Sequence, residues 1–435
     1  MRVPPSTTKA LLDRRRFLAA GAGALTAATL AGRARPARAQ STGASQPFLL
    51  IVYASGGWDT ALVFENKLGN GVVTMDAGSV AASGGGNLPF VDNPRRSNVK
   101  AFFATYGASC AIVNGLSVGS LDHRVATQRL LGTVPVGQDR LCDWGTYYAA
   151  NLNPTLALPH VVIDAPFMPG QYESVATRLT TTTINEYLNV APLKSTPSLG
   201  TAGDAALAAY RTSAFTNIDQ AANTASRDAE KLRALADGEI RETFISAALT
   251  AAMAKIGAPS PAPETWVRNG MIAVELFAQG QSLAVTLQAG ADNVFDTTTS
   301  NFTGQDAAYQ DLFAGLTAII SYAGSRGVAS NLTILVVSEC GRAPLLNAQG
   351  GKGPWPYTSA LLWGPLVNGG TVVGLTDAAL RGQPIDPVFG GQTGPNAVTL
   401  QIGHLITALY LRAGVAATQI LPGYQALAQI LKEAS

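Results

Sequence analysis

Six short, almost unbroken apolar runs constrain this chain more than anything else in it. The first, Phe48-Leu49-Leu50-Ile51-Val52-Tyr53, stops at the turn residues Ser55-Gly56-Gly57, and similar runs stand at 110–114, 160–163, 283–287, 332–337 and 360–363. Such a run has no polar face to offer water, so it reads as a strand buried on both sides. Between the runs, apolar residues recur at helical spacing over 99–106, 124–131, 309–323 and 400–413. Strands alternating with helices predict an α/β/α sandwich around a mostly parallel central sheet. The Ala-rich, charged stretch over about 204–280, broken by Pro261-Ala262-Pro263, predicts a helical excursion from that body.

The N-terminus reads as an export signal. Arg14-Arg15-Arg16-Phe17-Leu18 opens an apolar stretch that runs to Ala31, and Ala37-Arg38-Ala39 supplies a small-x-small cleavage site before Gln40. This gives a twin-arginine signal over 1–39, a polar linker over 40–47 and a folded body over 48–435. The apolar stretch, about 15 residues, is shorter than the roughly 20 that span a bilayer, and no transmembrane segment is read in the mature chain. The destination is the periplasm or the exterior, reached by a route that carries folded proteins. The first 39 residues hold eight Lys/Arg and one acid, which leaves 22 basic and 27 acidic side chains after cleavage. A net charge of about −5 argues against a nucleic-acid surface. Cys110, Cys142 and Cys340 imply no disulfide framework; Cys110 and Cys142 either pair or stay as buried thiols.

Ligands of an open parallel sheet bind beyond the carboxyl ends of its strands. The polar residues placed there are Gly56-Gly57-Trp58-Asp59-Thr60, Phe295-Asp296-Thr297-Thr298, Ser338-Glu339-Cys340-Gly341-Arg342, and Gly115-Leu116-Ser117-Val118-Gly119 with Asp122-His123 beyond it. Asp59, Asp296 and Glu339 come from distant parts of the chain, and their convergence would make an oxygen-only site for one hard cation. Equally, each suits a turn or helix cap.

These motifs, with the export signal and Glu339-Cys340-Gly341-Arg342-Ala343-Pro344…Asn347…Gly350-Gly351, resemble the exported bacterial proteins grouped as domain-of-unknown-function family 1501. That family resembles a branch of the alkaline phosphatase and sulfatase superfamily, so the resemblance implies an α/β/α sandwich and metal-dependent hydrolysis of phosphate or sulfate esters. It also implies an exported envelope protein as partner and a site histidine at His123. The departures make this a divergent member. Phe295-Asp296-Thr297-Thr298 carries a threonine where the family pattern has histidine, and Gly350-Gly351-Lys352-Gly353-Pro354 lacks the family's Asp-His and holds a lysine. Cys340 stands where an aromatic is usual.

A two-metal site of that kind draws on about three imidazoles, and the chain has only His123, His160 and His404. His160, at the mouth of a strand, and His404, inside an amphipathic helix, read as structural. The expectation is therefore a degenerate metal site holding either no ion or one Ca²⁺ or Mg²⁺ rather than Zn²⁺, with no nucleotide cofactor. The role that follows is binding or assembly in the cell envelope. The alternative is an ester hydrolase with a reduced one-metal site on Asp59, Asp296 and Glu339, with Thr60 or Ser55 near the attacked group. Arg342 and Lys352 are candidates for anion binding, and Arg342 equally for orienting Glu339 or Asp377. A third reading takes Ser117, in Gly-x-Ser-x-Gly, as a hydrolase nucleophile.

Overall fold

The computed structural model describes residues 46–133, 142–194, 203, 206, 209, 213, 245–258, 262–390, 396–417 and 421–432. All six apolar runs form strands of one eight-stranded sheet. Its strands are β1 (Phe48–Tyr53), β2 (Cys110–Ser117), β3 (His160–Ile163), β4 (Ala176–Leu179), β5 (Ala284–Gln288), β6 (Leu332–Val337), β7 (Tyr357–Trp363) and β8 (Thr371–Val373). Their spatial order is β8-β2-β7-β6-β1-β5-β3-β4. Only β7 is antiparallel to its neighbours. The fold is thus α/β with a mostly parallel central sheet, as the alternation predicts. β4 and β8, four and three residues long, lie at the two edges and carry too few apolar residues to stand out by pattern.

In β1, Leu49 through Tyr53 are all buried, so both faces of the strand are covered. Leu49, Ile51 and Tyr53 join a core cluster with Tyr147 of α3 (Trp144–Leu152) and with Leu405 and Tyr410 of α6 (Ile402–Ala413). Leu50 and Val52 point the other way by strand alternation. Helices α1 (Ser97–Tyr106), α4 (Thr265–Ala278) and α5 (Asn301–Ser325) pack together through Phe102 and Phe103 against Phe313, and through Trp266 over Gly315. Arg96, fully buried before α1, binds Asp76 at 2.6 Å, Asp306 of α5 and the Leu62 carbonyl at 3.0 Å. It ties the chain just after the first turn to α5.

Contacts divide the chain into two compact units, one of Met1–Gly43 with Thr182–Thr250, the other of Ala44–Thr181 with Ala251–Ser435. The sheet and the site belong to the second. Of the excursion expected over 204–280, residues 245–256 and α4 are helical, while 214–244 lie outside the described residues, as does the signal sequence. No helix among the described residues is long and apolar enough to cross a membrane. Cys110, Cys142 and Cys340 are free and buried, so the alternative of a Cys110–Cys142 bridge is set aside.

Candidate functional site at the carboxyl edge of the sheet

β6, β1 and β5 lie side by side and in register, Tyr53 opposite both Val337 and Gln288. Their following loops therefore emerge together, which carries Asp59, Asp296 and Glu339 to one edge. The loop after β1 is tightly packed. Gly56 and Gly57 have φ of +110° and +86°, and a Cβ on Gly56 would overlap the Asp296 amide nitrogen. Only glycine fits such a backbone against so close a neighbour.

Each carboxylate is held by its own cation. Asp59 Oδ2 accepts from Lys352 Nζ at 2.7 Å, and both side chains are 0% exposed. Asn301 Nδ2 donates to the same oxygen at 2.8 Å, and Oδ1 is buried without a partner. Asp296, exposed, pairs with the buried Arg342 at 2.9 Å. Glu339 is buried and accepts from His123 Nδ1 at 2.7 Å and from the Gly56 amide at 2.9 Å. The three carboxylates do not gather into a ligand set; the oxygen-only site expected from them is replaced by three separate ion pairs. Placing a hard cation at Asp59 would put it against the Lys352 ammonium, so the donor set there does not fit one.

Arg342 is the clasp of this edge. Its Nε donates to Gly57 O at 2.6 Å, Nη1 to Lys352 O at 3.1 Å, and Nη2 to Gly56 O as well as Asp296. With every nitrogen engaged and the side chain buried, Arg342 orients the Gly56-Gly57 loop rather than binding an external anion. Its carboxylate partner is Asp296, neither Glu339 nor Asp377. Lys352 is likewise committed, and the Gly350–Tyr357 segment holding it is packed in place: Lys352 N donates to Thr297 O at 3.0 Å, and Gly341-Arg342 pairs with Pro354-Trp355.

Sequence reasoning missed the residues that position Asp59. Asn301, Gln305 and Tyr309 lie four apart on α5, hence on one face. Asn301 holds the carboxylate, Gln305 Oε1 accepts from the Asp59 amide at 2.8 Å, and the Tyr309 hydroxyl donates to the Asp59 carbonyl at 3.1 Å. Three polar groups at that spacing in the first three turns of α5, all of them buried, were the available signal.

His123 opens α2 (His123–Leu131), behind the cap that Asp122 makes to the Val125 amide at 2.8 Å. It is 32% exposed, and the Cys340 thiol and Glu339 carboxylate beside it raise its pKa to about 10. Cys340 Sγ lies 4.0 Å from Nδ1. Among the described residues, only His123, Glu339 and Cys340 bring three metal-ligating side chains together, with their ligand atoms all within 4.8 Å. His123 and Glu339 of this trio line a cleft of about 1340 Å³, with residues that include Tyr53, Ser55, Asn269 and Asp292, while Cys340 is buried beside them. Burial and the Glu339 carboxylate raise the Tyr53 pKa, so its hydroxyl keeps its proton, 2.8 Å from Thr127 Oγ1.

Ser117 and Thr60 take no part in the trio. Ser117 ends β2, and five residues separate it from α2, whereas a nucleophile elbow turns directly into its helix. The described histidines bond elsewhere: His160 to Thr146 and Thr286, His404 to the Gln425 carbonyl. Thr60 is buried in the short turn Thr60–Leu62 and does not line the cleft.

Fold and site together define an α/β protein with a cleft at the carboxyl edge of a mostly parallel sheet, lined in part by the His123–Glu339 pair. The chain belongs to the family described as protein of unknown function DUF1501, whose model matches residues 157–426. Its structure is similar to that of a candidate sulfatase from Bacteroides thetaiotaomicron VPI-5482, with 8% identity, a TM-score of 0.39, and coverage of 90% of this chain and 76% of that one. It is also similar to the PsFucS1 sulfatase from Pseudoalteromonas sp., with 9% identity, a TM-score of 0.35, and coverage of 89% and 72%. Likenesses this remote say nothing about chemistry. No curated protein matches the chain.

Proposed function

We propose that this protein is an exported, non-catalytic member of its family that binds a ligand or an envelope partner through the cleft. One observation carries the reading: Asp59, Asp296 and Glu339 are neutralised by Lys352, Arg342 and His123, at 2.7, 2.9 and 2.7 Å. A carboxylate that holds a hard cation needs its oxygens free of protein cations. Two of these cations are fully buried side chains that cannot swing out to solvent. The pairs instead hold the strand-end loops in a charge-balanced frame, of which His123 and Glu339 line the cleft, and rigid support of this kind is what a binding site needs.

The test is elemental analysis of the exported protein, purified without chelators, beside its Asp59→Asn variant. The reading expects Ca²⁺ and Mg²⁺ well below one equivalent in both proteins, and no turnover of phosphate or sulfate esters. An equivalent of either ion in the wild type that Asp59→Asn loses, with metal-dependent turnover, overturns it. A one-metal ester hydrolase is the second reading: the buried, partnerless Asp59 Oδ1 is an atom that a cation would satisfy, but such an ion would first have to displace the Lys352 ammonium 2.7 Å from Oδ2.

A further inference from the structure

We propose that His123, Glu339 and Cys340 form a binding site for a borderline divalent transition metal, with Zn²⁺ as the type ion, at the wall of the cleft that His123 and Glu339 line. The proposal concerns the His123–Glu339 pair of the reading above and replaces it by a metal; Asp59 and Asp296 take no part. Of the three cations at this edge, Lys352 and Arg342 have no lone pair to offer a metal in their charged forms. His123 differs, because an imidazole that gives up its Nδ1 proton becomes a ligand. The acceptor that now takes that hydrogen bond, Glu339, is a second ligand, and the thiol 4.0 Å from the same nitrogen is a third.

Geometry separates this arrangement from a nucleophilic triad. In a triad, acid and nucleophile sit on opposite ring nitrogens. Here Glu339 Oε1 and Cys340 Sγ both face Nδ1, which suits convergence on one ion. Tetrahedral zinc, with bonds of about 2.0 Å to N or O and about 2.3 Å to S, sets neighbouring ligand atoms about 3.3 to 3.6 Å apart. Nδ1 and Oε1, now 2.7 Å apart, open modestly, while Nδ1 and Sγ close from 4.0 Å. Nitrogen, oxygen and sulfur donors together select Zn²⁺ or Co²⁺ over Ca²⁺ and Mg²⁺.

Charge also permits the exchange. Imidazolium, carboxylate and thiol sum to zero; a divalent ion on imidazole, carboxylate and thiolate sums to zero as well, with two protons released. A buried cluster therefore changes occupant without acquiring net charge. Outer contacts are in place, with the Gly56 amide on Oε1 at 2.9 Å and Ser338 Oγ donating to Oε2 at 3.3 Å, and such contacts orient ligands. Three protein ligands leave a fourth position, and His123, which lines the cleft, sets the metal where a molecule from the cleft can take it.

The experiment is titration of the metal-stripped, reduced full mature chain with Co²⁺. The expected result is a thiolate-to-cobalt charge-transfer band in the near ultraviolet and tetrahedral d–d bands, saturating at one equivalent and bleached by Zn²⁺. Cys340→Ser should abolish the charge-transfer band and weaken Co²⁺ binding at least about tenfold, whereas Cys142→Ser should leave both unchanged. Absence of the bands in the folded wild type overturns the proposal, as does a charge-transfer band that survives Cys340→Ser. Asp59→Asn leaves the cobalt spectrum unchanged, so failure here and failure of the ion-pair reading are separate results.

Discussion

The Asp59–Lys352 pair supplies the sharpest test of the ion-paired strand-end loops. In Lys352→Met the ammonium 2.7 Å from Asp59 Oδ2 disappears, while a side chain of similar length keeps filling the space. Asp59 is then a fully buried carboxylate with one hydrogen bond, from Asn301 at 2.8 Å, because Oδ1 already has none. Breaking a buried pair from one side costs about 3–5 kcal/mol. For a chain of about 400 residues, the unfolding entropy is roughly 0.8 kcal/mol per kelvin, so Tm should fall by about 4–6 °C. The double variant Asp59→Asn/Lys352→Met removes both charges and keeps an acceptor for Asn301, and should recover to within about 1–2 kcal/mol of wild type. If Lys352 stands where a cation would otherwise bind, Ca²⁺ or Mg²⁺ should raise the Tm of Lys352→Met and leave wild type unchanged. The assay is thermal unfolding by circular dichroism with and without each ion. A double variant as unstable as Lys352→Met, or a Lys352→Met with unchanged Tm, refutes the argument.

Three further outcomes are expected. Burial holds the His160 pKa below its ordinary value, with Asp143 opposing the shift; below about pH 6.5 the unfolded chain takes up a proton that the folded chain refuses, so stability is full above that pH and falls below it, by up to about 1.4 kcal/mol per unit. Urea denaturation across pH 5–7 should show this slope, and a flat profile would contradict it. Gly56→Ala should cost at least about 3 kcal/mol, since φ is +110° and the new Cβ meets the Asp296 amide; soluble yield and Tm report it, and a near-neutral result would mean the loop is not fixed. Replacing Arg14 and Arg15 by Lys should leave uncleaved precursor in the cytoplasm on fractionation, and unchanged export would remove the twin-arginine reading.

The sequence reveals the strands more fully than the site, for a physical reason. β1, and β6 apart from Thr333, are apolar because both faces are buried, and burial of that kind is written locally. β3, with His160 and four residues, is legible for the same reason. The edge strands β4 and β8 are short and partly exposed, so pairing rather than composition defines them. At the site, strand-end position is enough to bring Asp59, Asp296 and Glu339 to one edge, because three adjacent parallel strands end in register. It cannot say what each carboxylate meets. That depends on partners 293, 46 and 216 residues away, and a lysine in a glycine-rich loop looks the same whether it faces solvent or an aspartate. Lys352 at the position of a missing family motif was a visible departure; its meaning lay in the Asp59 contact. Cys340 is the converse case. A cysteine in place of an aromatic reads as filler, and its placement near Nδ1 of His123 is set by β6 and by the start of α2, two elements with no sequence relation. A change that removes a ligand at one position and supplies a thiol at another can thus leave the fold intact while altering which ion, if any, this edge prefers.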